Sequence, residues 1–191
     1  MNDLNKVRIS NAKALLNPKN IFNEDFFSSF NAYDGLFDLI IGNPPYSGGG
    51  NKNRSLSNRF IEKSIELLKP HGFLCFITPN NWMTYNNNNT TLKKLLKQGS
   101  FKIIDNDVKR YFPKIGSSFT VFLWQKGVFD NKLTVYNNFL MKDKRVNLTL
   151  PSDLNFIPLY LSKTTIKLAK KIVGPTETNQ FKYRCDLHNF T

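Results

Sequence analysis

The sequence predicts an α/β domain built on a parallel sheet, and three observations carry that prediction. Two apolar runs of strand length, "FDLII" from Phe37 and "FLCFI" from Phe73, are nearly continuous, as in strands buried on both faces of a parallel sheet. Helical patterns alternate with such runs in the order strand, helix, strand, helix, strand. A chain of 191 residues with 40% hydrophobic and 14% aromatic side chains is long and apolar enough to bury one core.

Each element has its own signal. Residues 4–16 read as an amphipathic helix through Leu4, Val7, Ala12, Leu15 and Leu16, closed by Pro18. "NIFNEDFF" reads as a strand ending at Asp25. "FDLII" is the next strand, and Pro44 and Pro45 end it because neither can donate to a ladder. The Gly-, Asn- and Ser-rich stretch from 47 to 58 is a loop, with Lys52, Arg54 and then Arg59 unaccompanied by an acid. Ser57 can cap a helix whose Phe60, Ile61, Ile65 and Leu68 share one face. "KPHG" ends that helix before "FLCFI" begins.

After the loop "TPNNWMTYNNNN", "TLKKLLKQG" reads as a short basic helix stopped by glycine, and "FKIID" as a further strand. "SSFTVFLWQKG" and "LTVYN" flank a turn at Asp130 and Asn131 and are expected to pair as an antiparallel hairpin on the sheet. Trp82 and Tyr111 are expected to serve packing. Beyond Pro151 the pattern loosens to a helix from 162 to 173 and a tail with no defined element.

The formal charge of +13 is unevenly placed. Residues 1–45 hold four basic and five acidic side chains, so residues 46–191 hold 23 basic against nine acidic. A polyanion is the natural partner of such a surface, since neutralising phosphates releases counterions. Cys75 and Cys185 lie far apart and form no metal or disulfide pattern with His71 and His188. No apolar run reaches membrane-spanning length, and a cytoplasmic protein is expected.

The most informative stretch is "FDLIIGNPPYSGGG", residues 37–50, where an apolar strand runs into Asn43, Pro44, Pro45 and Tyr46. It resembles the catalytic motif of S-adenosylmethionine-dependent amino-methyltransferases. The order of segments around it is similar to that of NPPY-type adenine-N6 DNA methyltransferases of restriction-modification systems, the Eco57I-like and TaqI-like class. "DFF" before the motif, and "FIEKSIELLKPHGFLCFITPNNWM" and "YFPKIGSSFTVFLWQKG" after it, match weaker family segments over residues 20 to 127.

The resemblance implies a Rossmann-like methyltransferase core, S-adenosylmethionine as cofactor and double-stranded DNA as partner. An exocyclic adenine amine is a poor nucleophile because its lone pair is delocalised into the ring. An Asn side-chain oxygen and the following proline carbonyl can accept its two hydrogens and orient the nitrogen. Asn43 and Pro44 match those roles, and Pro45 stiffens the turn. Tyr46 matches the aromatic face offered to a base taken out of the duplex.

By position, Phe112 matches the family's second base-stacking aromatic, and Lys114, like Lys52 and Arg54 in the basic loop, is placed to meet phosphate. Asp25 matches the acid that accepts from the cofactor's adenine amine, with Phe26 beside that ring, and Asp3 the acid that holds the ribose hydroxyls. No metal is implied.

The family also carries a Gly-x-Gly turn after its first strand, and no such segment precedes residue 20. "GGG" at 48–50 follows the catalytic turn and is no substitute. The core is therefore expected to be incomplete, leaving "FDLII" with an uncovered edge; either the chain is a fragment, or a separate chain supplies the cofactor loop or recognition domain. Residues 1–137 are expected to form a partial catalytic domain. Residues 138–191 are expected to begin a target-recognition region or C-terminal extension; seven basic residues against two acids fall between 139 and 172. The same amine chemistry would also suit a protein-glutamine or RNA amino-methyltransferase, and a non-catalytic nucleic-acid-binding remnant is a further alternative.

Overall fold

A computed structural model describes residues 6–16, 18, 22–30, 33–46, 56–85, 89–114, 118–137 and 144–173. In chain order the elements are α1 (Lys6–Leu16), α2 (Phe26–Ser29), β1 (Phe37–Gly42), α3 (Leu56–Leu67), β2 (Leu68–Pro79), α4 (Thr90–Gln98), β3 (Gly99–Asp105), β4 (Phe119–Lys126), β5 (Lys132–Tyr136), β6 (Arg145–Thr149) and α5 (Lys163–Val173). Single 3-10 turns follow β2 at Asn80–Met83 and β3 at Val108–Arg110.

The six strands form one mixed sheet in the order β1-β2-β4-β3-β5-β6. The α/β class is as expected, but the sheet is not simply parallel. β1 with β2 and β3 with β5 pair in parallel, whereas β4 runs antiparallel to both its neighbours and β6 to β5. The expected hairpin between β4 and β5 does not form, because β3 lies between them. The reason is local to the 127–131 connection: Gly127 N–H donates to Gln98 O, and Ser100 Oγ–H donates to Val128 O. These bonds carry the chain around the foot of β3 and deliver β5 to its far side. β6 had no counterpart in the sequence reading.

Two other expectations are corrected. Residues 22–25 do not make a strand ending at Asp25, residues 20 and 21 lying outside the described ones; Phe22 is in an isolated bridge, and Asp25 instead caps α2. "KPHG" is drawn into β2, where His71 takes a positive φ of 65° and the parallel register with β1 shifts between Phe37 and Leu39.

Alternation along β2 and β4 sets the core. Leu74, Phe76, Thr78, Phe122 and Trp124 point to a buried face that α3 covers with Ile61 and Ile65 and α4 with Leu92 and Leu95. Each fully buried aliphatic side chain there contributes roughly 1.5–3 kcal/mol of transfer free energy. Trp82 stacks on Phe101 at 5.5 Å, meets Phe122 edge-on, and donates its indole N–H to Thr78 Oγ1. Trp124 donates to Leu95 O. Trp82 is thus packing, as the sequence suggested.

The opposite face is less covered. β1 is an edge strand, and its Leu39 and Ile41 are 54% and 73% exposed, so it is not buried on both faces. Among the described residues no strand pairs with the outer edge of β1.

At the other side of the sheet, residues 154–161 form a strap tied down by backbone and amide groups. Ile157 N–H donates to Met83 O, Asn106 Nδ2 donates to Leu159 O, and Asn137 exchanges two bonds with the backbone of Leu161. Leu154, Ile157 and Leu161 are buried beneath it, and Ser162 Oγ then caps α5 by accepting from Thr165 N–H. Among the described residues, no helix is long and apolar enough to cross a membrane.

Candidate active site

Because β1, β2, β3 and β5 point the same way, their C-terminal ends lie on one edge of the sheet, together with the starts of β4 and β6. That edge is where ligands bind in open α/β sheets. Asn43, Pro44, Pro45 and Tyr46 leave β1 there. Gly42 permits the exit, since a Cβ on it would lie 3.3 Å from the Phe76 ring. Pro44 is buried, which fixes the turn, while Asn43 and Pro45 are exposed and Tyr46 is half-buried.

The polar geometry of the turn is specific. Tyr46 Oη–H donates to Asn43 Oδ1 at 2.5 Å. The Tyr46 ring crosses the end of β2 to meet Phe119, the first residue of β4, at 4.9 Å. The Asn43 oxygen thus already accepts one hydrogen bond within the turn and keeps a second lone pair. Phe119 was not anticipated as a site residue, although its place in "SSFTVFLW" at the head of a strand was visible.

Asp25 caps α2: its Oδ1 accepts from Phe27 N–H at 2.9 Å and Ser28 N–H at 3.0 Å. Its other carboxylate oxygen makes no hydrogen bond among the described residues, so the group retains an acceptor for an amine. Phe26 stacks on Phe60 of α3 at 4.8 Å and also meets Phe27 edge-on at 5.6 Å and Phe30 at 5.5 Å, so it stands in an aromatic cluster beside Asp25. Exposed Arg59 lies over the neighbouring Phe27 ring at 4.4 Å.

Phe112 is 41% exposed and follows the 3-10 turn after β3, on the same edge of the sheet as Tyr46. Lys114 is exposed two residues further on. Asp3, Lys52 and Arg54, like the glycines at 48–50, lie outside the described residues.

Tyr111 is a correction: at 58% exposure it packs into no core. The Arg110 guanidinium covers one face of it at 4.7 Å. Arg110 is itself held by two buried acids, Asp105, whose Oδ2 accepts from Nη2, and Asp107 at 3.7 Å. Burial pushes the Asp105 carboxyl above its ordinary range, against the backbone N–H of Asp107 and the Arg110 charge, which pull it down. The Asp-x-Asp-x-x-Arg spacing at 105–110 was the available sequence signal for this clamp. Elsewhere Cys75, half-buried on the less covered face, has its thiol pushed up by burial.

With this geometry established, similarity to known proteins can be placed on it. The model of the Eco57I restriction-modification methylase family matches residues 1–112. The Type II methyltransferase M.HincII of Haemophilus influenzae is 30% identical over 138 residues, covering 61% of this chain and 27% of that protein. An uncharacterized adenine-specific methylase of Mycoplasma pneumoniae is 31% identical over 148 residues, covering 71% of this chain and 34% of that protein. The chain thus spans about a quarter to a third of the length of these curated relatives. Among solved structures, a class I S-adenosylmethionine-dependent methyltransferase of Listeria monocytogenes superposes with a TM-score of 0.55 at 20% identity, over 70% of this chain and 48% of that one. The described sheet has the fold of that class.

Proposed function

We propose, from the premise that this chain belongs to the Eco57I restriction-modification methylase family, that it is the catalytic part of a DNA adenine-N6 methyltransferase of a restriction-modification system. The carrying observation is the turn at the end of β1, where buried Pro44 holds Asn43 and Tyr46 at the ligand-binding edge of the sheet. On this reading residues 1–137 belong to the catalytic domain, and residues 138–191 begin a target-recognition region or C-terminal extension.

Asn43 Oδ1 and the Pro44 carbonyl accept the two hydrogens of the adenine amine, and the proline pair stiffens the turn that carries them. When the amine arrives, Tyr46 gives up its bond to Asn43 and turns its ring to the base, with Phe112 as the second aromatic and Lys114, Lys52 and Arg54 toward phosphate. Asp25 and Phe26 hold the adenine end of S-adenosylmethionine, and Asp3 its ribose. The cofactor supplies an electrophilic methyl group, so the protein needs neither a metal nor a covalent nucleophile.

The outer edge of β1, unpaired among the described residues and flanked by exposed Leu39 and Ile41, supports a complementing polypeptide that adds a strand there and carries the remaining cofactor contacts.

Calorimetric titration of S-adenosylmethionine, followed by methyl transfer to unmethylated duplex DNA, tests the proposal. Binding abolished by Asp25→Ala, with transfer abolished by Asn43→Ala, is the expected result for the chain with its complementing partner. Cofactor binding with no transfer to DNA, but transfer to RNA or a glutamine peptide, overturns the substrate; no binding even with a partner leaves a non-catalytic remnant.

A further inference from the structure

A second cluster stands on the same edge of the sheet, displaced toward β6. Tyr136 ends β5 and pairs with Arg145 at the start of β6. Its ring lies 5.4 Å from the Arg110 guanidinium and 5.5 Å from that of Arg145. Arg110 also covers Tyr111, so three cation-π contacts converge on two rings. Such contacts occur about once per 70–80 residues, and a chain of this length would carry two or three in all. Their convergence marks a built surface rather than scattered packing.

The two arginines do different work. Arg110 is neutralised by Asp105 and Asp107 and so acts as a brace, holding Tyr111 with one face covered. The Tyr111 side chain nevertheless stays 58% exposed, an aromatic surface whose ordering cost is already met in the fold. Arg145 and its neighbour Lys144 are exposed, and no ion pair engages either among the described residues. The cluster therefore joins an exposed stacking surface to two exposed cations, Lys144 and Arg145, for a net charge of +1 once Arg110, Asp105 and Asp107 are counted.

We infer that Arg145, Lys144, Tyr111 and Tyr136 form a second nucleic-acid subsite, which takes the sugar-phosphate and one unstacked base of the strand whose target base occupies the Asn43–Tyr46 turn. The choice of ligand rests on the DNA reading above. Strand spacing of about 4.8 Å puts the cluster roughly 10–24 Å from the turn, counted across the sheet from β1 and β4 to β5 and β6. At about 3.4 Å per nucleotide this is some three to seven nucleotides along the strand. Arg145 meets phosphate, Tyr136 supports its stem, and Tyr111 stacks on a base. Base stacking on an aromatic is sequence-tolerant, so the subsite grips without reading sequence.

The test is fluorescence anisotropy of the full chain with a labelled single-stranded oligonucleotide and with the corresponding duplex, across a salt series. Arg145→Ala should weaken both complexes and lower the slope of log affinity against log salt by about 0.7 for the single strand and about 0.9 for the duplex. Tyr111→Ala should weaken the single-strand complex by on the order of ten-fold, and Tyr111→Phe should restore it. Circular dichroism and thermal midpoints confirm that the variants fold. Affinity and slope unchanged in Arg145→Ala and Tyr111→Ala, or no nucleic-acid binding by the native chain, overturn the inference.

The two readings can fail separately. If the oligonucleotide complexes depend on Arg145 and Tyr111 while no S-adenosylmethionine binding or transfer is found with any partner, the subsite stands and the methyltransferase reading falls. Transfer that depends on Asn43 but is indifferent to both cluster variants has the opposite meaning.

Discussion

Replacing Asn137 with alanine should unfasten the strap that leads into α5. Asn137 is fully buried; its Nδ2 donates to Leu161 O at 3.0 Å, and its Oδ1 accepts from Leu161 N–H at 2.9 Å. Leu161 is fully buried as well, so truncation strands one backbone donor and one acceptor out of reach of water. At about 1–3 kcal/mol for each stranded group, the loss is roughly 2–6 kcal/mol. For a chain of 150–250 residues, each kcal/mol moves the thermal midpoint by about 2–4 °C, so the midpoint should fall by at least about 4 °C.

Asn137→Asp keeps the acceptor for Leu161 N–H but sets a carboxylate against Leu161 O, and should lose at least as much at neutral pH. Urea unfolding gives the free energy, and hydrogen exchange at the Leu161 amide separates local release of residues 154–173 from global unfolding. A loss under about 1 kcal/mol in Asn137→Ala, with Leu161 exchange unchanged, would refute the account of the strap.

Three further outcomes follow from the same geometry. Gly99→Ala drives a Cβ into the Gln125 carbonyl and the Trp124 ring, so the strand pairing of β3 with β4 must shift; urea titration should show a loss above about 2 kcal/mol, and a neutral result would mean that this pairing yields easily. Tyr46→Phe keeps the ring on Phe119 but frees Asn43 Oδ1; since an exposed neutral bond is worth about 0.5–1.5 kcal/mol, steady-state kinetics with the complementing partner should show KM for DNA falling by about 2–10-fold with kcat little changed, whereas a large drop in kcat would give the hydroxyl a part in the chemistry. The Asp105 carboxyl titrates above its ordinary 3.8 when folded, so the stability it lends is complete below that value and is lost as pH rises through the folded pKa; the stability of native chain over Asp105→Asn should therefore decline with pH across that window, and an increase would show the Arg110 pairing outweighing burial.

What could be read in the sequence was what local pattern determines. The apolar runs at 37–41, 73–77 and 101–105 became β1, β2 and β3, and the periodic stretches around Ile61 and Leu92 became α3 and α4. Strand order could not be read that way. The turn at Asp130 and Asn131 looks like a hairpin turn, but its bonds to Gln98 and Ser100 are made 28 or more residues away in sequence and send β5 past β3. β6 escaped because "RVNLT" offers only Val146 and Leu148 to the core, too little alternation to stand out in a polar region.

The site divides in the same way. The position of Asn43, Pro44 and Tyr46 at a strand end follows from apolar residues running into two prolines. That Tyr46 reaches Phe119, that Asp25 caps a helix while keeping one oxygen free, and that Tyr111 stands clear of the core all depend on packing between segments distant in sequence.

The two tryptophans have an optical consequence. Trp82 and Trp124 are the only indoles in the chain, both are fully buried, and both N–H groups are bonded inside the protein. Native emission should therefore be blue-shifted and report the state of the core, remaining blind to events at the strand-end edge that leave the core in place. An indole introduced in place of exposed Tyr111 would be the lone red-emitting chromophore. Its quenching by a stacked base could then be followed against a constant blue background, making the binding edge visible without an attached dye.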